Sequence, residues 1–139
     1  MAIADPDPRV SGTGIAKLQA AGIEVSAGCQ AQEALLAHRG FFSRLQYGRP
    51  RVTLKLATSL DGRIATASGE SQWITGAEAR RDVHGLRACH DAVLVGGGTA
   101  RADNPSLNVR GLGLVRQPIR IVASRHLDFD VPDLQASRD

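Results

Sequence analysis

No C-x-x-C pair occurs in this chain, and its two cysteines, Cys29 and Cys89, lie far apart in sequence. A zinc site and a disulfide scaffold are both unsupported. Cys89, between a helical stretch and an apolar one, is expected to be a packed, reduced thiol. No charged segment followed by an apolar one opens the chain, and no apolar run reaches membrane-spanning length. A secretory leader and a membrane span are not expected, and a cytoplasmic location is. Aromatic residues are few, at 4%. The formal charge of +3 is spread along the chain and not gathered in a block. That distribution suits a solvated surface and anionic small molecules, and a nucleic-acid partner is not expected. The G-x-G-x-x-G dinucleotide fingerprint is also missing.

What is present is an ordinary soluble composition, 42% apolar over 139 residues, enough for one domain with a core but not for two full enzyme domains. Ala2-Ile3-Ala4 reads as the tail of a strand, halted by Asp5-Pro6-Asp7-Pro8. Ser11 to Gly14 leads into a helix with Ile15, Leu18 and Ala21 on its apolar stripe and Gly22 as its C-cap. Ile23-Glu24-Val25 reads as a short strand. Strand, helix and strand make a βαβ fragment with too few elements to close a sheet of its own, as though something preceded it. Gln30 to Tyr47 is helical, with Gly40 marking either a kink or two shorter helices. Gly48-Arg49-Pro50 then marks the boundary between a segment 1–48 and a segment 49–139.

The second segment holds the densest structural punctuation. Val52, Leu54 and Leu56 alternate with Thr53, Lys55 and Ala57, which predicts a strand over 52–57. After the polar, Gly-rich stretch from Asp61-Gly62 to Ser71, Thr75 and Glu78 form a capping box for a helix. Ala79, Val83 and Leu86 are expected to face a sheet, and Arg80, Arg81 and Asp82 to face water. Ala92 to Val95 reads as a strand covered on both faces, running straight into Gly96-Gly97-Gly98-Thr99. A short helix follows, broken at Asp103-Asn104-Pro105, and Ile119 to Val122 is a further strand of the same sheet. No closing element is expected from there to Ser137-Arg138-Asp139. Alternating strands and helices predict an α/β domain with neighbouring strands parallel. A strand feeding a glycine turn and a helix is also a phosphate-binding arrangement.

Three ordered motifs, Val52 to Ala65, Gly69 to Thr75 and Gly96 to Pro105, resemble the reductase domain of the riboflavin-biosynthesis bifunctional deaminase–reductase family. Asp5 to Gly12 and Gly40-Phe41-Phe42 resemble the end of that family's deaminase domain and the linker. The resemblance implies an incomplete dihydrofolate-reductase-like domain preceded by the C-terminal βαβ remnant of a cytidine-deaminase-like domain. The family's H-x-E and P-C-x-x-C zinc motifs are absent, so no metal site is expected. The implied activity is NADPH-dependent reduction of the ribosyl group of 5-amino-6-(5-phosphoribosylamino)uracil to ribityl. A homo-oligomer is implied for the intact protein.

The resemblance also implies roles for particular residues. Lys55 is the catalytic candidate, an ammonium able to hydrogen-bond the ring-opened sugar's oxygen as it gains charge. On residue type alone it is a solvent-facing strand lysine. Ala57, Trp73, Thr99, Asp103 and Ser124 correspond to cofactor contacts, although a lone tryptophan is more often core. Ser71, Arg87, Leu107 and Arg110 correspond to substrate contacts, with the arginines suited to a phosphate, although each is otherwise an ordinary surface charge. His38, His84, His90 and His126 show no ligand spacing and receive no role. Two other readings stand beside the reductase: a non-catalytic nucleotide- or partner-binding fragment, and a reductase of the same fold acting on another pyrimidine- or pterin-like substrate.

Overall fold

A computed structural model describes residues 1–113, 116–128 and 136, and the chain divides into two units, Met1–Lys55 and Leu56–Asp139. The expectation of an open end at 137–139 lies outside the described residues. Proline and aspartate shape the start of the first unit. The Asp5 carboxylate accepts the Asp7 backbone N–H, and the Asp7 carboxylate in turn accepts the Arg9 backbone N–H and its guanidinium. Asp7 is only 6% exposed. Its carboxyl is held down to about 2, first by the Arg9 guanidinium and then by the Arg9 backbone N–H.

This turn delivers the chain to α1, Thr13–Ala20. Gly22 stands at φ 77°, and its N–H and that of Ile23 return to the carbonyls of Gln19 and Leu18. That is the two-bond glycine termination expected where a left-handed residue must follow a helix. The helical stretch that follows is two helices, α2 (Ala31–Ala37) and α3 (Arg39–Tyr47), broken at His38 and not at Gly40. Gly48, at φ 67°, ends the second.

The strands expected over 2–4, 23–25 and 52–57 are absent. The Met1 amino group and the Gly28 N–H donate to the Ser26 and Ala2 carbonyls, but no ladder grows from that pair. Val52, Leu54 and Leu56 are 84%, 79% and 64% exposed. Their alternation is real, but a strand is a ladder of paired residues, and none forms over 52–57.

The second unit opens with two turns of one construction. In 59–63 and again in 66–70, the first residue's N–H donates to the fifth residue's carbonyl, and its own carbonyl accepts the N–H of a glycine. The hydroxyl of Ser59 or Thr66 accepts the fifth residue's N–H. Gly62 and Gly69 take φ 77° and 87°. This is the three-residue hairpin connection in which only a left-handed residue fits.

Next come α3's successor α4 (Ala77–Ala88), β1 (Ala92–Gly96), α5 (Gly97–Asp103) and β2 (Ile119–Ala123). The two strands pair in parallel, with Ala92 opposite Ile119 and Val95 opposite Val122. The parallel α/β arrangement expected from the sequence is thus present. Three local expectations fail. Gly76, not Thr75, is the N-cap of α4, and no side chain caps it. Strand β1 is not covered on both faces, since Leu94 is 63% exposed. Cys89 is exposed, as is Cys29. The buried apolar side chains among the described residues, Ala100, Leu107 and Val109, lie in α5 and the loop after it.

The Asp7–Arg9 turn has a pH signature. A carboxyl lowered from 3.8 to about 2 stabilises the folded state fully above pH 3.8 and loses that effect as pH falls towards 2. Denaturant titrations of the first unit's helices between about pH 2 and 5 should show this acid limb, and Asp7→Asn should flatten it. An unchanged limb in the variant would assign the acid sensitivity to another group.

Candidate functional site

Helix α4 places the candidate residues. Arg80, His84 and Arg87 recur at helical spacing and so share one face. At roughly 1.5 Å per residue, Arg80 and Arg87 lie about 10 Å apart along the axis. Arg80, expected to face water, is instead half-buried. Its guanidinium lies 4.4 Å from the Trp73 ring centroid and donates to the Thr75 carbonyl at 2.6 Å. Trp73 itself is 70% exposed, so it is not a core tryptophan. Ser71 stands just before it and is exposed.

At the other end of that face, α4 meets the loop 107–110. One N–H of Arg87 donates to the Asn108 carbonyl at 3.0 Å. The backbone N–H of Arg110 donates to His84 Nδ1 at 3.2 Å. From the opposite side the Gln117 amide closes on Val109, accepting its N–H at 2.7 Å and donating to its carbonyl at 3.2 Å. Gln117 thereby does for one residue what a neighbouring strand would do. Leu107 is 3% exposed and stands at φ 54°, so its side chain anchors the loop from inside.

Arg87 and the backbone of Arg110 thus meet at α4's contact with one loop, and the Arg110 charge is felt by both Arg87 and His84. Among the described residues no carboxylate pairs with either Arg87 or Arg110. Burial, and then the charge of Arg110, make the Arg87 cation easier to deprotonate than a free one. His84 is pushed below 6.5 by burial, then by Arg87 and Arg110, against a smaller opposite pull from the Asn108 carbonyl. Like charges held together without a counter-ion are the arrangement that an anion relieves, and paired guanidinium donors match phosphate oxygens.

The glycine turn forms a second cluster. A Cβ on Gly97 would meet Ser124 Oγ at 2.8 Å, so only glycine allows β2's end to close on α5. Ser124 Oγ also accepts the Leu127 N–H, and Arg101 pairs with Asp128 at 2.6 Å. Thr99 and Asp103 are exposed on the first and last turns of α5, and Ala57 is half-buried. Lys55 is exposed and belongs to the first unit, outside the set the second unit assembles.

Of the residues expected from sequence, the structure thus joins Arg87, Leu107 and Arg110 and seats Ser124 on the glycine turn. The sequence reading missed Arg80, His84 and Gln117. His84 and Arg80 were legible as sharing Arg87's helical face, whereas nothing in the sequence marks Gln117. No group of three or more His, Cys, Asp or Glu able to hold a metal occurs among the described residues, and no described helix is long and apolar enough to cross a membrane.

The second unit is an α/β domain that combines a glycine turn, an exposed tryptophan and two arginines with no paired carboxylate among the described residues. The chain belongs to the RibD C-terminal domain family, whose model matches residues 50–136. It is 49% identical to the riboflavin biosynthesis protein RibD of Escherichia coli, covering 85% of this chain and 35% of that protein. It is 46% identical to RibD of Bacillus amyloliquefaciens, covering 91% and 34%. Among solved structures, Acinetobacter baumannii RibD matches with a TM-score of 0.81 at 44% identity, over 91% of this chain and 37% of that one. The diaminohydroxyphosphoribosylaminopyrimidine deaminase/5-amino-6-(5-phosphoribosylamino)uracil reductase of Thermotoga maritima matches with a TM-score of 0.80 at 42% identity, over 87% and 34%. The chain spans about a third of the length of these relatives.

The glycine turn can be tested against its neighbour. Gly97→Ala should destabilise the second unit by about 1–3 kcal/mol through overpacking on Ser124. Gly98→Ala, which meets nothing within 4 Å, should be neutral or slightly stabilising. Equal denaturation midpoints for the two variants would show that β2's end does not depend on that close approach.

Proposed function

We propose that this chain carries part of an NADPH-dependent reductase acting on 5-amino-6-(5-phosphoribosylamino)uracil in riboflavin biosynthesis, with residues 49–139 forming the N-terminal part of its dihydrofolate-reductase-like domain. Residues 1–48 would then be the end of a deaminase domain. The observation that carries the reading is the pair Arg87 and Arg110, joined through α4's bonds to the 108–110 loop and, among the described residues, without a paired carboxylate. The family match beginning at residue 50 supports it.

In this reading Arg87 and Arg110 bind the substrate phosphate, and Ser71 and the backbone at Leu107 orient the rest of that molecule. The residues also fit a nucleotide cofactor. Trp73 offers an open aromatic face beside a cationic partner, and the Gly97–Ser124 approach leaves a turn without side-chain bulk. Trp73, Thr99, Asp103 and Ser124, with the backbone at Ala57, would hold NADPH, which when bound supplies the hydride. Lys55 donates a hydrogen bond to the ring-opened sugar's oxygen as negative charge develops there.

Charge-assisted bonds of this kind contribute about 1.5–3 kcal/mol each, so Arg87→Ala and Arg110→Ala should each weaken binding of the phosphorylated substrate roughly tenfold to a hundredfold. The phosphate-free analogue should bind all three proteins alike. If both variants lose the analogue as severely, the arginines do not read the phosphate. Lys55→Ala should lower kcat by about a hundredfold with substrate affinity retained. NADPH should quench Trp73 emission saturably, and a titration without quenching would count against the cofactor assignment.

A further inference from the structure

The histidine on α4 has no part in the reading above, yet it touches the arginine pair at its backbone. We propose that His84 is a positioning residue for the anion clamp, its Nδ1 lone pair accepting the Arg110 amide proton and so fixing the backbone from which the Arg110 side chain acts with Arg87. This rests on the reading that the two arginines take an anion.

The tautomer follows from the partner. A backbone N–H can only donate, so the ring nitrogen facing it 3.2 Å away carries the lone pair and the proton sits on Nε2. One helical turn further along, Arg87 holds the Asn108 carbonyl, so α4 grips the loop at successive polar groups two residues apart. Gln117 fixes Val109 between them from the other side. With Leu107 buried and left-handed, the loop cannot slide, and the exposed Arg110 side chain projects from an anchored backbone.

The chemistry explains why an imidazole suits this place. A carboxylate would also accept the Arg110 N–H, but it would neutralise the guanidiniums and compete with the anion. A lysine would present a donor to a donor. Neutral imidazole supplies an acceptor without a negative charge. The charged groups facing it are Arg87 on its own helix and Arg110 on the loop; burial first and then these two cations make it harder to protonate, against an opposite pull from the Asn108 backbone.

The test uses the whole chain with sulfate as probe, because sulfate stays a dianion across the pH range in which histidine titrates. His84→Asn keeps an acceptor near the Nδ1 position, and His84→Leu keeps the bulk without one. Losing one such bond should weaken sulfate binding roughly threefold to tenfold in the leucine variant, while the asparagine variant stays within about twofold of the parent. In the parent, imidazole ¹⁵N shifts should report the Nε2–H tautomer, and the Arg110 amide should be protected from exchange. That protection should vanish with leucine and persist with asparagine. An Nδ1–H tautomer, equal sulfate affinity in all three proteins, or equal loss in both variants overturns the proposal. A parent chain that binds no sulfate, or binds it equally well after Arg87→Ala and Arg110→Ala, overturns the anion-site reading and this role with it. Sulfate binding that needs both arginines but ignores His84 overturns only the histidine's role.

Discussion

Two cations, Arg87 and Arg110, act on each other with no carboxylate paired to either among the described residues, a standing electrostatic cost that the second unit sustains. Arg87 comes from a helix and Arg110 from a loop, so their meeting depends on the contact between those two elements. That contact is made of hydrogen bonds, from Arg87 to Asn108 and from Arg110 to His84. Each bond ties a backbone group of the loop to a side chain of α4. The cationic pair is thus maintained by the loop's backbone hydrogen bonds to α4. Buried apolar area contributes through Leu107 and Val109, which flank the polar grip and keep the loop from turning over.

The strands deliver this geometry without taking part in it. α4 runs into β1, β1 into α5, and the loop after α5 returns to β2, which pairs parallel to β1. Gln117 stands just ahead of β2, so the register that sets Ile119 opposite Ala92 also sets the amide that brackets Val109. At the same end of the sheet the Ile119 N–H donates to the Asp91 carbonyl and Arg116 pairs with the Asp91 carboxylate. A slip of the strands would move Gln117 away from Val109 and loosen the arginine pair. The glycine turn imposes the matching restriction at the other end, where Ser124 lies against Gly97.

Which features were legible in the sequence follows from the range of the forces that make them. Helix ends are set within a turn or two, so Gly22, Gly48 and the stop at Asn104 could be read directly. The Asp61-Gly62 and Ser68-Gly69 turns were legible for the same reason. Strands are set by partners distant in sequence, and the 52–57 alternation describes a face without saying what covers it. The helix α4 shows the same limit. Arg80 looked like a water-facing charge because its partner, Trp73, precedes the helix in a segment without periodicity. His84 looked idle because its partner is a backbone N–H that no side-chain pattern announces. Family resemblance brought Arg87 and Arg110 together on paper, while the reason they can coexist, Gln117 and His84 included, lay outside any motif.

The bonds that hold the arginine pair all fall between Arg87 and Gln117, and with His84 they lie wholly inside the second unit. None of them involves residues 52–57, whose apolar side chains remain open to solvent, or the outward side chains of Leu94, Ile119 and Ile121. In the proposed reading, anion recognition therefore draws on α4, the 107–110 loop and the start of β2. The chemical step places a further demand, because its proposed residue, Lys55, belongs to the first unit and to a segment that joins no sheet among the described residues. Recognition and turnover are therefore separable in that reading: the first rests on short-range hydrogen bonds within the second unit, and the second on how the 52–57 segment is held.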